Sequence, residues 1–503
     1  MAGSACDNPR VRAPLDPESA ASAGSPAEVW DARHRPLTLG LLLTVSFTAF
    51  EALAVTTVLP SAVAEIGGLA LYGWAFSSFV LASIVGISVG GHSADRSGAA
   101  VPFAVGAGLF VAGLLGAGAA PTMALLVAAR ALQGLGGGAL SAVAYATVGS
   151  GYGNAARPRM IALLSTAWVM PGLVGPALAG GVADTLGWRW VFLGLAPPTA
   201  LVAALALGSL RRLGAGAGSG APDGAPLPDR RLWSVLLAVG AGACLSGLER
   251  HGATLEAIVL VLAGVGLALP SLRRLLPAGS LRARAGSPAA VATMAILGFV
   301  YFGTEVFVPL GLTEVRGLAA TLAGLPLTVA ALAWTAGSWL QDREATRRSH
   351  RALVGGGLAA ILIGVAGVAS VLSPAVPTWL TGVAWGVASF GMGVAYSTAT
   401  LVILERASPG REGEASAALQ LASMLGTALG TGVGGALLNA VTRRGLALPA
   451  GIAAVDAVMA AVAVVGLVIS MRIPKGARED PSPARRAPER IGPQAPGDVA
   501  TGD

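Results

Sequence analysis

The chain has 503 residues, of which 54% are hydrophobic and only 12% are charged, and its mean hydropathy is +0.71. Because soluble domains carry about 25% charged residues, this composition excludes an ordinary soluble protein and indicates many membrane-spanning helices. The net charge of +7 fits arginines that orient a chain in its bilayer. No basic patch is interleaved with aromatic residues, so we expect no nucleic-acid partner.

Fourteen apolar runs, arranged as six, two and six, follow a polar N-terminal segment. Runs of about 20 residues, enough to cross a bilayer, begin near Leu37, Ala70, Val101, Thr122, Met160 and Trp190. Two shorter runs cover Leu232 to Leu248 and Leu255 to Leu272, and six more begin near Ala289, Leu318, Ala352, Thr378, Ala415 and Ile452. We therefore expect a disordered tail (1–36), a six-helix bundle (37–212), a linker with two additional central spans (213–287), a second six-helix bundle (288–473) and a disordered tail (474–503).

The distribution of basic residues predicts the orientation of the spans. With a cytoplasmic N-terminus, 27 of the 33 basic residues fall on the cytoplasmic side and five fall in outside loops. This bias is the positive-inside pattern, so we expect both termini in the cytoplasm. A single lysine among the 33 basic residues, with 71 glycines, indicates the coding bias of a GC-rich bacterium. We expect a multi-pass protein of a bacterial plasma membrane.

Three ionisable residues stand well inside the predicted spans: Glu51 in the first, Arg130 in the fourth and Glu305 in the ninth. At 1.5 Å per residue, all three fall at a similar depth in the outer half of the bilayer. A charge at mid-membrane costs about 2.5–3.5 kcal/mol even on lenient scales, so each is a functional candidate. The alternative for each is an ion pair that only holds the bundle together. Gln133 follows Arg130 on the same helix face.

The fifth span contains residues that a soluble helix would not tolerate. Gly172, Gly175, Pro176 and Gly180 fall on one helix face. In lipid, neighbouring helices can satisfy the backbone groups that such residues free, and a face without side chains allows a close approach. This face therefore predicts a moving joint between helices.

A polar turn is expected between the second and third spans. It contains Gly91, Asp95, Arg96 and Gly98, and Asp95 could accept hydrogen bonds from a helix N-terminus, where the helix dipole favours an anion. An ordinary solvated turn is the alternative. Small residues also recur at every fourth position of span two (Ala82, Gly86, Gly90) and span thirteen (Ala418, Ala422, Gly426, Gly430, Gly434). Such rows suit either a specific close contact or generic packing.

Few fixed charges and several aromatic residues favour an adaptable, mainly apolar binding cavity. The candidate aromatic residues are Trp168, Trp334, Trp385, Phe390 and Tyr396. Their alternative role is packing or contact with lipid. All four histidines lie in loops or tails, and no phosphate-binding loop motif occurs. We therefore expect no metal, no cofactor and no enzymatic activity.

Together these residues resemble the major facilitator superfamily, in particular its branch of fourteen-span drug:proton antiporters. Residues 91–98 resemble the signature loop between helices two and three, although alanines at 99–100 replace two usual basic residues. Residues 130–137 are similar to the helix-four signature, and 172–181 resemble the helix-five signature of antiporters with imperfect spacing. Glu51 takes the place of an aspartate in the helix-one signature.

The resemblance implies two six-helix bundles around a central site that opens alternately to each side of the membrane, with spans two and thirteen facing each other. The buried carboxylates Glu51 and Glu305, with Arg130, are expected to couple transport to protons, and the resemblance implies conformational roles for the turn and for the span-five face. Gln133 and the aromatic residues are then candidate substrate contacts. We expect a monomer that exports small amphipathic compounds, drugs or metabolites, in exchange for protons. A proton-coupled uptake symporter, or a polytopic membrane sensor or enzyme, remains the alternative.

Overall fold

The computed structural model describes residues 29–32, 34–153, 156–216, 231–250, 254–407 and 412–476. Within these ranges fourteen helices are long and apolar enough to cross a membrane, as the sequence predicts, and no strand occurs. We number them α1 (Arg35–Ile66), α2 (Leu69–Ser97), α3 (Ala100–Gly118), α4 (Met123–Gly149), α5 (Arg159–Leu186), α6 (Arg189–Arg212), α7 (Arg231–Glu249), α8 (Leu255–Leu275), α9 (Ser287–Val315), α10 (Ala320–Glu344), α11 (His350–Ser370), α12 (Leu380–Glu405), α13 (Gly413–Arg443) and α14 (Leu448–Ser470).

The helices form two groups that meet along two seams. Helices α1–α6 pack mainly on one another, as do α9–α14. The groups touch where α5 packs on α10 and where α2 packs on α13. Helices α7 and α8 pack together, and α7 also contacts both α2 and α13. We call the end at which α1 begins the near side and the opposite end, where α1 ends, the far side.

The polar turn expected at residues 91–98 is shorter in the structure, because α2 continues as a helix through Ser97. Gly98 then ends the helix with a φ of 80°. This left-handed conformation is one that glycine adopts without the steric penalty of a Cβ atom. Asp95 and Arg96 are therefore exposed residues of the last helical turn rather than loop residues.

The small-residue rows of α2 and α13 lie inside their own groups and do not meet each other. A Cβ atom added at Gly90 would lie 2.8 Å from Cα of Ala139 on α4. On α13, added Cβ atoms at Gly426 and Gly430 would collide with the backbone of α9 at Ala295 and Phe299. The prediction that α2 faces α13 is confirmed. Of the two uses left open for the small-residue rows, the structure shows packing within each helix group.

The folded part extends beyond the two predicted tail boundaries. Val29 is fully buried, and its carbonyl accepts a hydrogen bond from Thr38 Oγ1 at 2.8 Å. At the other end, the carbonyl of Lys475 accepts a hydrogen bond from the backbone N–H of His350 at 3.1 Å. The remainder of the predicted tails, 1–28 and 477–503, and most of the linker before α7, 217–230, lie outside the described residues.

Candidate functional site

Arg130 forms a buried charged cluster with two other predicted residues. Its guanidinium Nη1 forms an ion pair with Glu51 Oε1 and donates a hydrogen bond to Gln133 Oε1 at 2.8 Å. Its Nε donates to the carbonyl of Ala75 on α2 at 3.1 Å, and its Cζ lies 4.3 Å from the ring centroid of Phe79. Thus α1, α2 and α4 all contribute to holding a single guanidinium.

The cluster is buried, yet some of its hydrogen-bonding atoms have no partner. Arg130 and Glu51 are 2% and 1% exposed, and Gln133 is fully buried. Glu51 Oε2 and Gln133 Nε2 have no hydrogen-bond partner. An unsatisfied buried polar atom costs about 1–3 kcal/mol, so these free positions mark where a proton, a water or a ligand would be stabilised.

Glu305, the other predicted carboxylate, does not join this cluster. It lies on α9, is 7% exposed, and its Oε2 has no hydrogen-bond partner. Within the described residues it forms no ion pair. The next residue, Val306, accepts a hydrogen bond from Tyr72 of α2 through its carbonyl at 2.6 Å. One turn of α2 therefore touches the Arg130 cluster at Ala75 and the Glu305 region at Tyr72.

Aromatic side chains gather one turn before Glu305. Tyr301 stacks on Trp385 with ring centroids 4.7 Å apart, and its hydroxyl lies 2.8 Å from Ser389 Oγ. Trp334 lies 5.4 Å from Tyr301 and 5.6 Å from Tyr396, centroid to centroid. The indole N–H of Trp385 is buried without an acceptor. We call these four residues the aromatic cluster.

The other two aromatic candidates lie apart from this cluster in different ways. Phe390 is half-buried on α12, where its carbonyl packs against Gly337 of α10. Trp168 is 49% exposed at a break in α5, between helical segments Arg157–Thr166 and Val169–Leu186. Ser46 Oγ of α1 donates a hydrogen bond to the carbonyl of Ala167 at this break, at 3.0 Å. Pro171 falls in the first turn of the second segment, where a proline leaves no hydrogen bond unmade.

The glycine–proline face of α5 contacts two helices rather than one. A Cβ atom at Gly172 would lie 2.8 Å from Ala331 Cβ, and one at Gly180 would lie 2.5 Å from Thr321 Cα, both on α10. Gly175 instead faces Phe50 of α1 at 3.5 Å. Pro176 meets α10 through its carbonyl, which a Cβ atom at Gly324 would approach to 3.1 Å. This face therefore forms most of the α5–α10 seam.

Both seams are joined by hydrogen bonds, which lie at the far side in the α5–α10 seam and about 12 Å from the far end of α2 in the other seam. Asp184 of α5 accepts hydrogen bonds from the backbone N–H groups of Ala320 and Thr321, each at 3.0 Å, and from Thr321 Oγ1 at 2.6 Å. A side chain of one group thus caps the first helix turn of the other. In the other seam, Ser77 Oγ of α2 donates to the carbonyl of Ala428 on α13 at 2.9 Å. The far side is closed in this structure.

The expected partner of Asp95 is not seen. Among the described residues, no hydrogen bond or ion pair is found for its exposed carboxylate. Arg96, Gly91 and Gly98 surround it at the near side, and a Cβ atom at Gly91 would meet only Ala142 Cβ at 3.9 Å. In this conformation the segment makes no bond to a neighbouring helix through Asp95.

Sequence reasoning missed a fourth buried ionisable residue inside a span. Asp456 of α14 is 3% exposed, and neither carboxylate oxygen has a hydrogen-bond partner. The predicted span began near Ile452, which placed Asp456 at the membrane boundary. In the structure α14 begins at Leu448, so Asp456 lies about 12 Å along the helix. The residue that could have revealed this is Pro449, which favours the first turn of a helix.

Comparisons with known proteins agree with this architecture. A family model described as the Major Facilitator Superfamily matches residues 40–431. A probable multidrug-efflux transporter of Mycobacterium tuberculosis is 28% identical over 467 residues, which cover 89% of this chain and 97% of the relative. Multidrug resistance protein 3 of Bacillus subtilis is 26% identical over 413 residues, covering 79% and 78% of the two chains.

Solved structures show the same fold. A bacterial homologue of the human lysosomal transporter Spinster, in an inward-facing and unoccupied conformation, aligns with a TM-score of 0.60 at 18% identity, covering 88% of this chain and 96% of that one. A peptide transporter of the POT family in complex with alafosfalin aligns with a TM-score of 0.63 at 16% identity, covering 91% and 98%. These relatives and neighbours are transporters rather than enzymes. The chain, whose motifs resemble those of efflux-type permeases, belongs to the major facilitator superfamily of membrane transporters.

Proposed function

We propose that this protein exports small amphipathic compounds from the cytoplasm in exchange for protons, by alternating access. The observation that carries the proposal is the buried Glu51–Arg130 pair, in which one carboxylate oxygen of Glu51 and the amide nitrogen of the neighbouring Gln133 have no partner. Two similar proteins are named as a probable multidrug-efflux transporter and a multidrug resistance protein, and this supports export as the direction of transport.

Proton binding at Glu51 would remove the negative half of a buried ion pair. Breaking such a pair by removing one partner costs about 3–5 kcal/mol. A proton that crosses the membrane gains about 2.3 kcal/mol per 100 mV, in addition to any pH gradient. The two energies are comparable, so protonation of this carboxylate can drive the rearrangement of the helices around Arg130.

On the other group of helices, Glu305 is the second proposed proton-binding carboxylate, where a proton would compete with the substrate, and the aromatic cluster is the proposed substrate contact. A carboxylate without a described partner beside stacked rings favours a cationic, partly apolar compound, because rings attract cations through their faces. Trp385 and Tyr396 belong to this cluster, and Gln133 offers an unused amide on the opposite group. Phe390 and Trp168 are proposed as peripheral contacts.

We propose that 37–212 and 288–473 move as two units and that the near side faces the cytoplasm, with both termini there, in a bacterial plasma membrane. The α5 face with Gly172, Gly175, Pro176 and Gly180 is then the joint along which the units rock. The hydrogen bonds at Asp184 and Ser77 hold the far side shut. Asp95 and Arg96 would act at the near side when that side closes. We propose that the protein works as a monomer, because a single chain contains all of these parts.

Dye transport into everted vesicles tests the coupling. Vesicles that contain the protein should accumulate a fluorescent cationic dye when energised, and an uncoupler should abolish the accumulation. Glu51→Gln should remove the dependence on the proton gradient, and Glu305→Gln should weaken dye binding. Glu256→Gln is the matched control, because Glu256 is a 62% exposed carboxylate paired with Arg250 at the far end of α7–α8.

Two results would contradict the proposal. Normal gradient-driven transport in both Glu51→Gln and Glu305→Gln would exclude the carboxylate mechanism. Accumulation in right-side-out vesicles, with efflux from everted ones, would instead identify an uptake symporter.

A further inference from the structure

Asp456 lies in a part of the molecule that the proposed transport cycle does not use. It lines a small cavity of the second helix group, bordered by side chains of α9, α11, α12 and α14 and of the residues that follow α9 and α11. The space open to the centre of a water-sized sphere is about 10 Å³. This is close to the minimum that holds one water molecule, so the cavity admits a single particle of that size.

Apart from the Arg316 guanidinium, the polar side chains that line this cavity lack partners. Asp456 Oδ1 and Oδ2, Thr304 Oγ1 on α9 and Thr381 Oγ1 on α12 are buried and form no hydrogen bond. Asp456 is 3% exposed, Thr381 1% and Thr304 0%. Three helices therefore bring four oxygen atoms without partners to one water-sized space.

The two threonines differ from most others in the spans. Thr44, Thr293 and Thr398 each donate a hydrogen bond to the carbonyl four residues earlier. Thr304 lies two residues after the π-helical segment Gly298–Phe302, which changes the register of the preceding carbonyls. Thr381 lies in the first turn of α12, where no helical carbonyl precedes it. Local backbone structure thus leaves both hydroxyls available to the cavity.

The two charged residues at the cavity are not paired with each other. Of the residues that line the cavity, only Asp456 and Arg316 are charged. The guanidinium Nη1 of Arg316 donates to the carbonyls of Ser373 and Val376 at 2.7 and 2.9 Å, and also to that of Val371. Within the described residues it forms no ion pair with Asp456. A buried carboxylate that lacks an ion pair is unfavourable unless a proton or a cation neutralises it.

The donor set indicates the kind of cation. All four atoms are oxygens, the donors that hard cations prefer. Ca²⁺ takes six to eight oxygen ligands and Mg²⁺ demands an octahedral set, and one carboxylate with two hydroxyls supplies too few ligands and too little charge for either. The described residues also hold no group of three His, Cys, Asp or Glu side chains suited to a metal ion. We propose that this cavity is a binding site for one Na⁺ ion, held by Asp456, Thr304 and Thr381.

This proposal does not depend on proton-coupled export, since the Asp456 cavity shares no residue with the Glu51–Arg130 cluster. Purified protein in detergent would be heated in NaCl or in choline chloride of equal ionic strength. A ligand that binds only the folded state raises the apparent stability as its concentration rises. The unfolding midpoint should therefore increase with Na⁺ concentration, less so with the larger K⁺, and not with choline.

Variants assign the effect to the cavity. Asp456→Asn should abolish the response to Na⁺, and Thr304→Val and Thr381→Val should each shift half-saturation to higher Na⁺ by roughly tenfold, the equivalent of one lost hydrogen bond. Glu51→Gln, which alters another buried carboxylate, should keep the full response. Equal midpoints in NaCl and choline chloride, or an unchanged response in Asp456→Asn, would overturn the proposal. If Asp456→Asn does not fold, the two threonine variants and direct binding of ²²Na⁺ decide.

Discussion

Arg130 shows at the scale of single residues why an arginine, rather than any cation, stands in the membrane. One planar guanidinium reaches Glu51, Gln133 and the Ala75 carbonyl while lying over the Phe79 ring. An ammonium is a point charge without this fork, so it cannot make the same contacts together. The cluster therefore depends on the shape of the side chain as much as on its charge.

Arg130→Lys should lower the rate of energised dye transport by about tenfold or more, since each lost hydrogen bond to a charged group costs about 1.5–3 kcal/mol. The measurement is the initial transport rate per molecule of folded protein in everted vesicles. Arg189→Lys is the control, because Arg189 pairs with Glu65 where the two side chains are 32% and 54% exposed. Exposed pairs contribute about 0–1 kcal/mol. Equal losses in the two variants would contradict a special role for Arg130.

Sequence reasoning at this scale succeeds where a charge lies deep within an unambiguous span. Glu51 and Arg130 lie at similar calculated depths, and the structure brings them into contact. It fails at Asp456, because moving the start of a helix by four residues turns a boundary residue into a buried one. The sequence also does not predict whether Glu305 has a partner, because the periodicity of one helix does not indicate which residue of another helix lies opposite it.

At the scale of helices, the α2–α13 seam depends on residues outside the obvious small-residue rows. A Cβ atom at Gly73 of α2 would lie 2.5 Å from the Thr431 carbonyl oxygen and 2.8 Å from Gly435 Cα, both on α13. Only glycine allows this approach. The rows themselves are used for packing against α4 and α9, which a single sequence cannot distinguish from packing across the seam.

Gly73→Val should favour the conformation with the far side open, because overpacking of a tight contact costs about 1–3 kcal/mol in the closed form alone. Spin labels at Leu186→Cys and Leu446→Cys, two exposed far-side positions of different helix groups, would report the separation after Cys6 and Cys244 are changed to serine. The distance distribution should gain a longer component.

The matched control for that experiment lies on α3. At Gly108→Val the added Cβ would meet no atom within 4 Å, so the distribution should stay as in the parent protein. A Gly73→Val variant with an unchanged distribution would show that this contact does not determine closure of the far side.

At the scale of the whole molecule, the distribution of basic residues predicts an orientation that packing alone does not specify. The far-side loops hold five arginines, Arg189, Arg250, Arg316, Arg443 and Arg444, out of 33 basic residues. The number of spans and their approximate limits follow from hydropathy because lipid requires long apolar helices. The packing of the helix groups does not follow from hydropathy, because it depends on contacts between distant parts of the chain.

An impermeant thiol reagent added to intact cells tests this orientation. Leu446→Cys, in the far-side loop after α13, should react, whereas Thr346→Cys, in the near-side loop after α10, should react only after the cells are permeabilised. Both positions are exposed, so access differs only through the membrane. Labelling of Thr346→Cys in intact cells would reverse the proposed orientation.

Because α7 contacts both α2 and α13, the two seams between the helix groups differ in their exposure to lipid. One seam is covered by an additional helix, whereas the α5–α10 seam has no such cover among the described residues. Apolar side chains of Leu178 on α5 and Leu325 on α10 are exposed beside that seam. We therefore expect a compound dissolved in the bilayer to reach an uncovered joint between the helix groups only at the α5–α10 seam.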